Sequence, residues 1–224
     1  MEYAQTRMQA RHGASPNEAQ WRQLGEQREL AAYIAALRAT PLADWVAGID
    51  ERAGLHEIEG ALRRHWRKTV GELARWLPPE WHAAVLWTEQ LIDLPALAHC
   101  AHGGSMPQWL EKDGAFPTGE NASKDIRSWL ADWTRRWPAD QDGEAQTLRA
   151  LAKRVEDHLQ HFAGLDTANA WEARRAFRSE MVHAFRKLAF QPGAAFVHLL
   201  LHALDLERLR GELIIRALQR RCAP

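Results

Sequence analysis

Apolar residues recur at three- and four-residue steps through long stretches of this chain. No window alternates at period two for long enough to form a buried strand. Ile58, Leu62, Trp66, Val70 (with Thr69), Leu73 and Leu77 (with Trp76) keep this step through about five turns, leaving Arg63, Arg64, Arg67, Lys68, Glu72 and Arg75 for an outer face. Three further stripes follow: Ile126, Trp129 with Leu130, Trp133 and Trp137; Leu148, Leu151, Val155, Leu159 and Phe162; and Trp171, Phe177, Met181, Phe185 and Leu188. Ala and Leu dominate while Val, Ile and Thr are few, which favours helix over sheet. The spacing predicts an all-α fold.

Breaks fall where turn chemistry puts them. Ser15-Pro16-Asn17-Glu18 reads as a capping box with Pro at the first helical position. Thr40-Pro41 restarts a short helix after Arg38, and Pro78-Pro79 separates the long Ile58–Leu77 stripe from a helix beginning near Glu80. Asp93 can cap a helix opening Leu94-Pro95, so Pro95 marks a break within residues 80–102, and Gly103-Gly104 stops that helix.

These breaks divide the sequence into a first helical unit, 1–102, a linker, 103–124, and a second helical unit, 125–224. The linker carries one short helix near Gln108-Trp109-Leu110, and Pro138 to Gly143 is a shorter break. The two units look related. Each runs as a long amphipathic helix, a proline-marked turn and a second helix, carrying Asp93-Leu94-Pro95-Ala96-Leu97 in one and Asp205-Leu206-Glu207-Arg208-Leu209 in the other.

With 224 residues a core needs no covalent staple, and Cys100 and Cys222 make no disulfide framework and suit a reducing compartment. Balanced charge, 29 Lys+Arg against 29 Asp+Glu, argues against a nucleic-acid binder. The stretch from Leu188 to Leu204 lacks charged residues but is short of the ~20 apolar residues of a membrane span and contains Pro192, Gly193, His198 and His202. Met1 to Arg7 has no apolar h-region. The expectation is a soluble cytoplasmic protein, with a peripheral place on the inner face of a membrane compatible with it.

Eleven His raise the question of metal. His198 and His202, and His158 and His161, are spaced to share a helix face, but neither pair has the carboxylate of a His-Glu-x-x-His site. His99-Cys100-Ala101-His102 has no second cluster to complete it. No Gly-x-Ser-x-Gly elbow or phosphate loop is present, Gly103-Gly104-Ser105 lacking the lysine of a P-loop, and Asp50, Glu51, Glu57 and Glu59 read as solvated helix edges. The expectation is no enzyme, no cofactor and no resident metal.

The chain has 11 Trp beside 2 Tyr and 6 Phe. Trp66, Trp76, Trp129, Trp133 and Trp171 fall on core faces, divided among stripes rather than gathered in one cluster. Large rings with few rotamers make a stiff helical body. Trp81, Trp87 and Trp109 lie off the stripes and are candidates for a partner-facing patch. Arg63, Arg64 and Arg67, with Arg208, Arg210, Arg216, Arg220 and Arg221, form basic strips suited to docking another protein.

The order of features resembles the C/d-subunit family of V-type rotary ATPases. Leu30 to Leu42 matches a helix ending in a Leu-x-x-Thr-Pro-like step, and Ile58-Glu59-Gly60-Ala61-Leu62-Arg63-Arg64 matches an Ile-Glu-x-Ala-Leu-Arg-Arg-type helix. Asp93 to Leu97 is similar to an Asp-x-x-x-Leu segment, and Asp205-Leu206-Glu207-Arg208-Leu209-Arg210 to an acidic-x-x-Asn-Leu-Arg-type helix. The family carries three helical units where this sequence holds two, and its polar Asn is absent, with Pro95 and Arg208 near the equivalent places. The resemblance implies a shortened relative: a non-catalytic connector that binds the central stalk and membrane ring and couples rotation to proton or ion transport. A general all-α adaptor unrelated to ATPases is the alternative reading, and a His-ligated metalloprotein a third.

Overall fold

The structure is a computed structural model that describes residues 1–101, 103–105, 125–139, 143–162 and 165–222. Among these residues it is helical, without strands. The elements are α1 Glu2–Ala14, α2 Glu18–Gly25, α3 Leu30–Arg38, α4 Ala43–Val46, α5 Leu55–Ala74, α6 His82–Trp87, α7 Leu94–Ala101, α8 Ile126–Thr134, α9 Glu144–Phe162, α10 Thr167–Lys187 and α11 Gly193–Cys222, with 3-10 turns at Pro79–Trp81 and Thr88–Asp93.

Helix boundaries follow local chemistry. The first capping box is built two residues later than expected. Asn17 is the cap, its Oδ1 accepting from Gln20 N–H at 3.0 Å while Gln20 Oε1 accepts from Asn17 N–H at 2.9 Å. Asn caps as well as Ser, and Pro16 lies buried before it instead of opening the helix. Asp125 caps α8 through Ser128 in the same way, and the hydrogen bond from Ser128 N–H holds the Asp125 carboxyl below the usual range. After α7 the chain turns at Gly103, whose φ of 86° requires a residue without a β-carbon.

Packing divides the chain into two compact units that do not follow sequence order. One contains Met1–Gln5 and Val70–Leu201, the other Thr6–Thr69 and His202–Pro224. The division 1–102, 103–124 and 125–224 is one of the sequence, and residues 106–124, including the short helix expected near Trp109, lie outside the described residues. Each unit draws on both halves of the chain.

One pair of helix starts matches the spacing expected of an internal repeat. α5 and α10 begin at Leu55 and Thr167, 112 positions apart, which is also the separation of Asp93 and Asp205. At this offset Ala84, Val85, Thr88, Leu91, Ile92, Asp93 and Leu94 correspond to Phe196, Val197, Leu200, Ala203, Leu204, Asp205 and Leu206, and all are buried. The second copy is one continuous helix, whereas the first is broken into α6, a 3-10 turn and α7. Pro95, lacking an N–H, stands in the first turn of α7, where it disrupts no α-helical hydrogen bond. The long helices agree less well: Leu62 and Trp66 correspond to Arg174 and Arg178. The copies also exchange partners. Residues 55–69 of α5 belong to the same unit as residues 202–222, while α10 belongs with residues 79–101.

Most expected core faces are in place, including Ile58, Leu62, Trp66, Val70, Leu73 and Leu77 on α5. Three side chains differ most, and Glu59, expected at a solvated helix edge, is also buried. Arg63, expected on the outer face, is only 5% exposed: steps of four and three carry Glu59, Arg63, Trp66 and Val70 along one side of α5, and that side is enclosed too. Phe162 is exposed at the end of α9, and Trp171, expected in the core, is 39% exposed one turn into α10, where its helix extends beyond the apolar stripe that begins at Phe177.

Candidate functional site

Five of the tryptophans form one connected cluster, contrary to the expectation of separate stripes. α8 presents Trp129 and Trp133 four residues apart, so the rings stack along one helix face at 6.0 Å. Trp87 from α6 stacks on Trp129 at 6.4 Å, and Trp137 meets Trp133 edge-on at 5.1 Å. Phe196 from α11 packs against Trp133 at 4.9 Å and against Trp81 at 5.9 Å. Hydrogen bonds fix the register: Trp133 Nε1 donates to the Ala84 carbonyl at 3.1 Å, and Trp87 Nε1 to the Trp129 carbonyl at 3.2 Å. Trp81, Trp129 and Trp133 are buried in the core of this unit.

That assigns two of the rings expected to face a partner. Trp81 is buried, and Trp87 is half-buried with the Arg136 guanidinium carbon 3.7 Å from its ring centre. Trp109 lies outside the described residues.

The C-terminal basic strip also turns inward. Arg208 pairs with Glu18 at 2.7 Å and covers the Trp21 ring, its guanidinium carbon 4.7 Å from the ring centre. Arg210 pairs with Glu59 at 3.4 Å. Arg216, buried, donates to the carbonyl of Gly25, the last residue of α2, at 3.2 Å and to that of Gln27 just beyond it at 2.7 Å, and pairs with Glu212. Arg220 donates to the carbonyls of Glu51, Arg52 and Ala53. Arg208, Glu212, Arg216 and Arg220 follow one another at four-residue steps, so one face of α11 carries a row of staples. That spacing was a readable sequence signal. The side chains are fasteners within one unit and not a free docking surface. On α5, Arg64 and Lys68 are exposed, Arg67 is half-buried and Arg63 is buried, so the expected strip is reduced to its outer members.

Among the described residues no group of three His, Cys, Asp or Glu side chains converges as a metal site would require. His158 lies parallel to the Phe177 ring at 4.0 Å. Burial, with Arg174 and His161 adding to it, lowers its pKa to about 4, so its imidazole is neutral at pH 7. His202 is packed edge-on against Trp45 at 5.8 Å, and His65 lies on the same ring at 4.8 Å. Among the described residues no helix is long and apolar enough to cross a membrane. Family models, curated proteins and solved structures give no match to this chain.

Proposed function

We propose that the chain is a non-catalytic connector of the V-type ATPase C/d-subunit kind, binding the central stalk and the membrane ring and coupling them in rotation. The observation that carries the reading is the repeated Asp-Leu step. Asp93 and Asp205 are each 4% exposed, each is followed by a buried Leu, and they stand at equivalent places in two related helical segments. These are two of the positions on which the resemblance rests. The stiffness that torque transmission demands is supplied in one unit by the tryptophan cluster and in the other by the arginine row. Co-purification with stalk and ring subunits from the same host tests the proposal; association with neither overturns it. The internal engagement of Arg208 and Arg210 favours the second reading, an adaptor unrelated to ATPases, and that reading prevails if the neighbouring genes encode no rotary ATPase subunits.

A further inference from the structure

The outward side of α11 carries no charge over two turns. Between residues 211 and 219 its exposed positions are Gly211, Ile215, Leu218 and Gln219. Steps of four and three put Gly211, Ile215 and Leu218 in one stripe, with Ile214 half-buried beside it. Ile215 is 54% exposed and Leu218 44%. The opposite side, with Leu209, Leu213 and Ala217, is buried within the unit. A helix that is apolar on both sides is built to pack on both.

Gly211 gives the stripe its shape. It stands inside a 30-residue helix, where glycine is a poor helix former. A β-carbon placed on it would meet nothing within 4 Å, so no neighbour in the same chain calls for glycine there. The missing side chain leaves a recess, and Leu218 protrudes from the same stripe seven positions later. Recess and knob on one stripe are self-complementary. When two such helices pack antiparallel, Leu218 of each enters the recess at Gly211 of the other, and residues 214 and 215 meet at the two-fold axis.

Flanking charges fit the same arrangement. Arg208 pairs with Glu18, and Arg216 reaches the carbonyls of Gly25 and Gln27, so α2 runs beside α11 in the same direction. Glu18, Arg22 and Glu26 follow at four-residue steps, which places Arg22 and Glu26 on the side of α2 nearest the stripe, level with residues 212–216. Both are exposed, and Arg22 Nε also donates to the Glu18 carbonyl at 3.4 Å. A two-fold axis at residues 214 and 215 lays α2 alongside its mate and sets Arg22 opposite Glu26 twice. A parallel pairing would set like charges together.

We propose that α11 is a self-association surface through which two molecules of this chain pair antiparallel about a two-fold axis. The stripe is short, so the buried area lies at the small end of specific interfaces and the affinity is on the order of micromolar. This pairing does not rest on the connector reading.

Sedimentation velocity of the full chain from about 1 to 200 µM is the test, with thermal melting to show that each variant is folded. Wild type is expected to move from 25.5 kDa toward twice that mass as concentration rises. Leu218→Glu and Gly211→Leu are expected to weaken pairing at least about tenfold, and Gly211→Leu to melt no lower than wild type. Arg22→Glu and Glu26→Arg should each weaken it, and the double variant should restore it. A chain that stays monomeric throughout overturns the proposal; if it pellets with mixed phosphatidylcholine–phosphatidylglycerol vesicles, the stripe belongs to a lipid surface. Dimers indifferent to both stripe variants overturn the assigned surface. A double charge variant no tighter than the single ones overturns the antiparallel arrangement.

Discussion

The guanidinium carbon of Arg216 lies 3.9 Å from the centre of the Tyr33 ring, and the same side chain joins α11 to the end of α2. Tyr33 is fully buried, and burial first, Glu212 second, pushes its phenol above the usual tyrosine range. Arg216→Met keeps the stem but leaves the carbonyls of Gly25 and Gln27 without this donor. A loss of about 3 kcal/mol in urea unfolding is expected, and Arg216→Lys recovers little of it because an ammonium lacks the planar fork.

Two tryptophans of the same chain should respond very differently to truncation. Trp66 is fully buried on α5, so Trp66→Ala should cost roughly 3–5 kcal/mol. Trp171 is 39% exposed, and Trp171→Ala should cost well under the Trp66 figure, about 1–2 kcal/mol. Chemical denaturation of both variants checks the assignment; equal losses would contradict it.

His158 predicts an acid-sensitive fold. Its pKa is about 4 in the folded protein against an ordinary 6.5, so the unfolded chain takes up the proton first as pH falls. Stability from this group is complete above about pH 6.5 and declines as pH drops toward 4. Allowing for solvent screening, the decline should be about 2 kcal/mol at most. His158→Leu should flatten the dependence of melting temperature on pH across that window.

The ring cluster has an optical signature. Trp133→Phe removes one of the two indoles stacked on Trp129 and the donor to the Ala84 carbonyl. It should reduce the near-ultraviolet circular dichroism sharply and cost about 1–3 kcal/mol, by the loss of one buried hydrogen bond and part of a ring. A spectrum unchanged from wild type would mean that the rings do not couple.

Helical character was legible because apolar spacing alone decides it, and the α5 stripe from Ile58 to Leu77 is buried as that spacing requires. Burial of Arg63 was not, because periodicity orients a helix but does not reveal how many sides are covered. The arginine row was written at four-residue steps, yet Arg216 and Arg220 are received by backbone carbonyls at residues 25, 27 and 51–53, which no side-chain pattern marks. The tryptophan cluster escaped for a related reason: Trp87 and Trp129 are 42 residues apart, and only the fold brings them together. Nothing in the sequence around Phe190 announces a left-handed backbone, since Gly193, the residue suited to it, stands three positions later.

The exchange of helices between the two copies sets an order on folding during synthesis. Residues 6–69 emerge from the ribosome early but cannot complete their core until residues 202–222 have been made, because Arg208, Arg210, Arg216 and Arg220 all arrive with that last segment. Until then Trp21, Tyr33 and the end of α2 lack their covering partners, and this stretch of the nascent chain is the one a chaperone would find open longest.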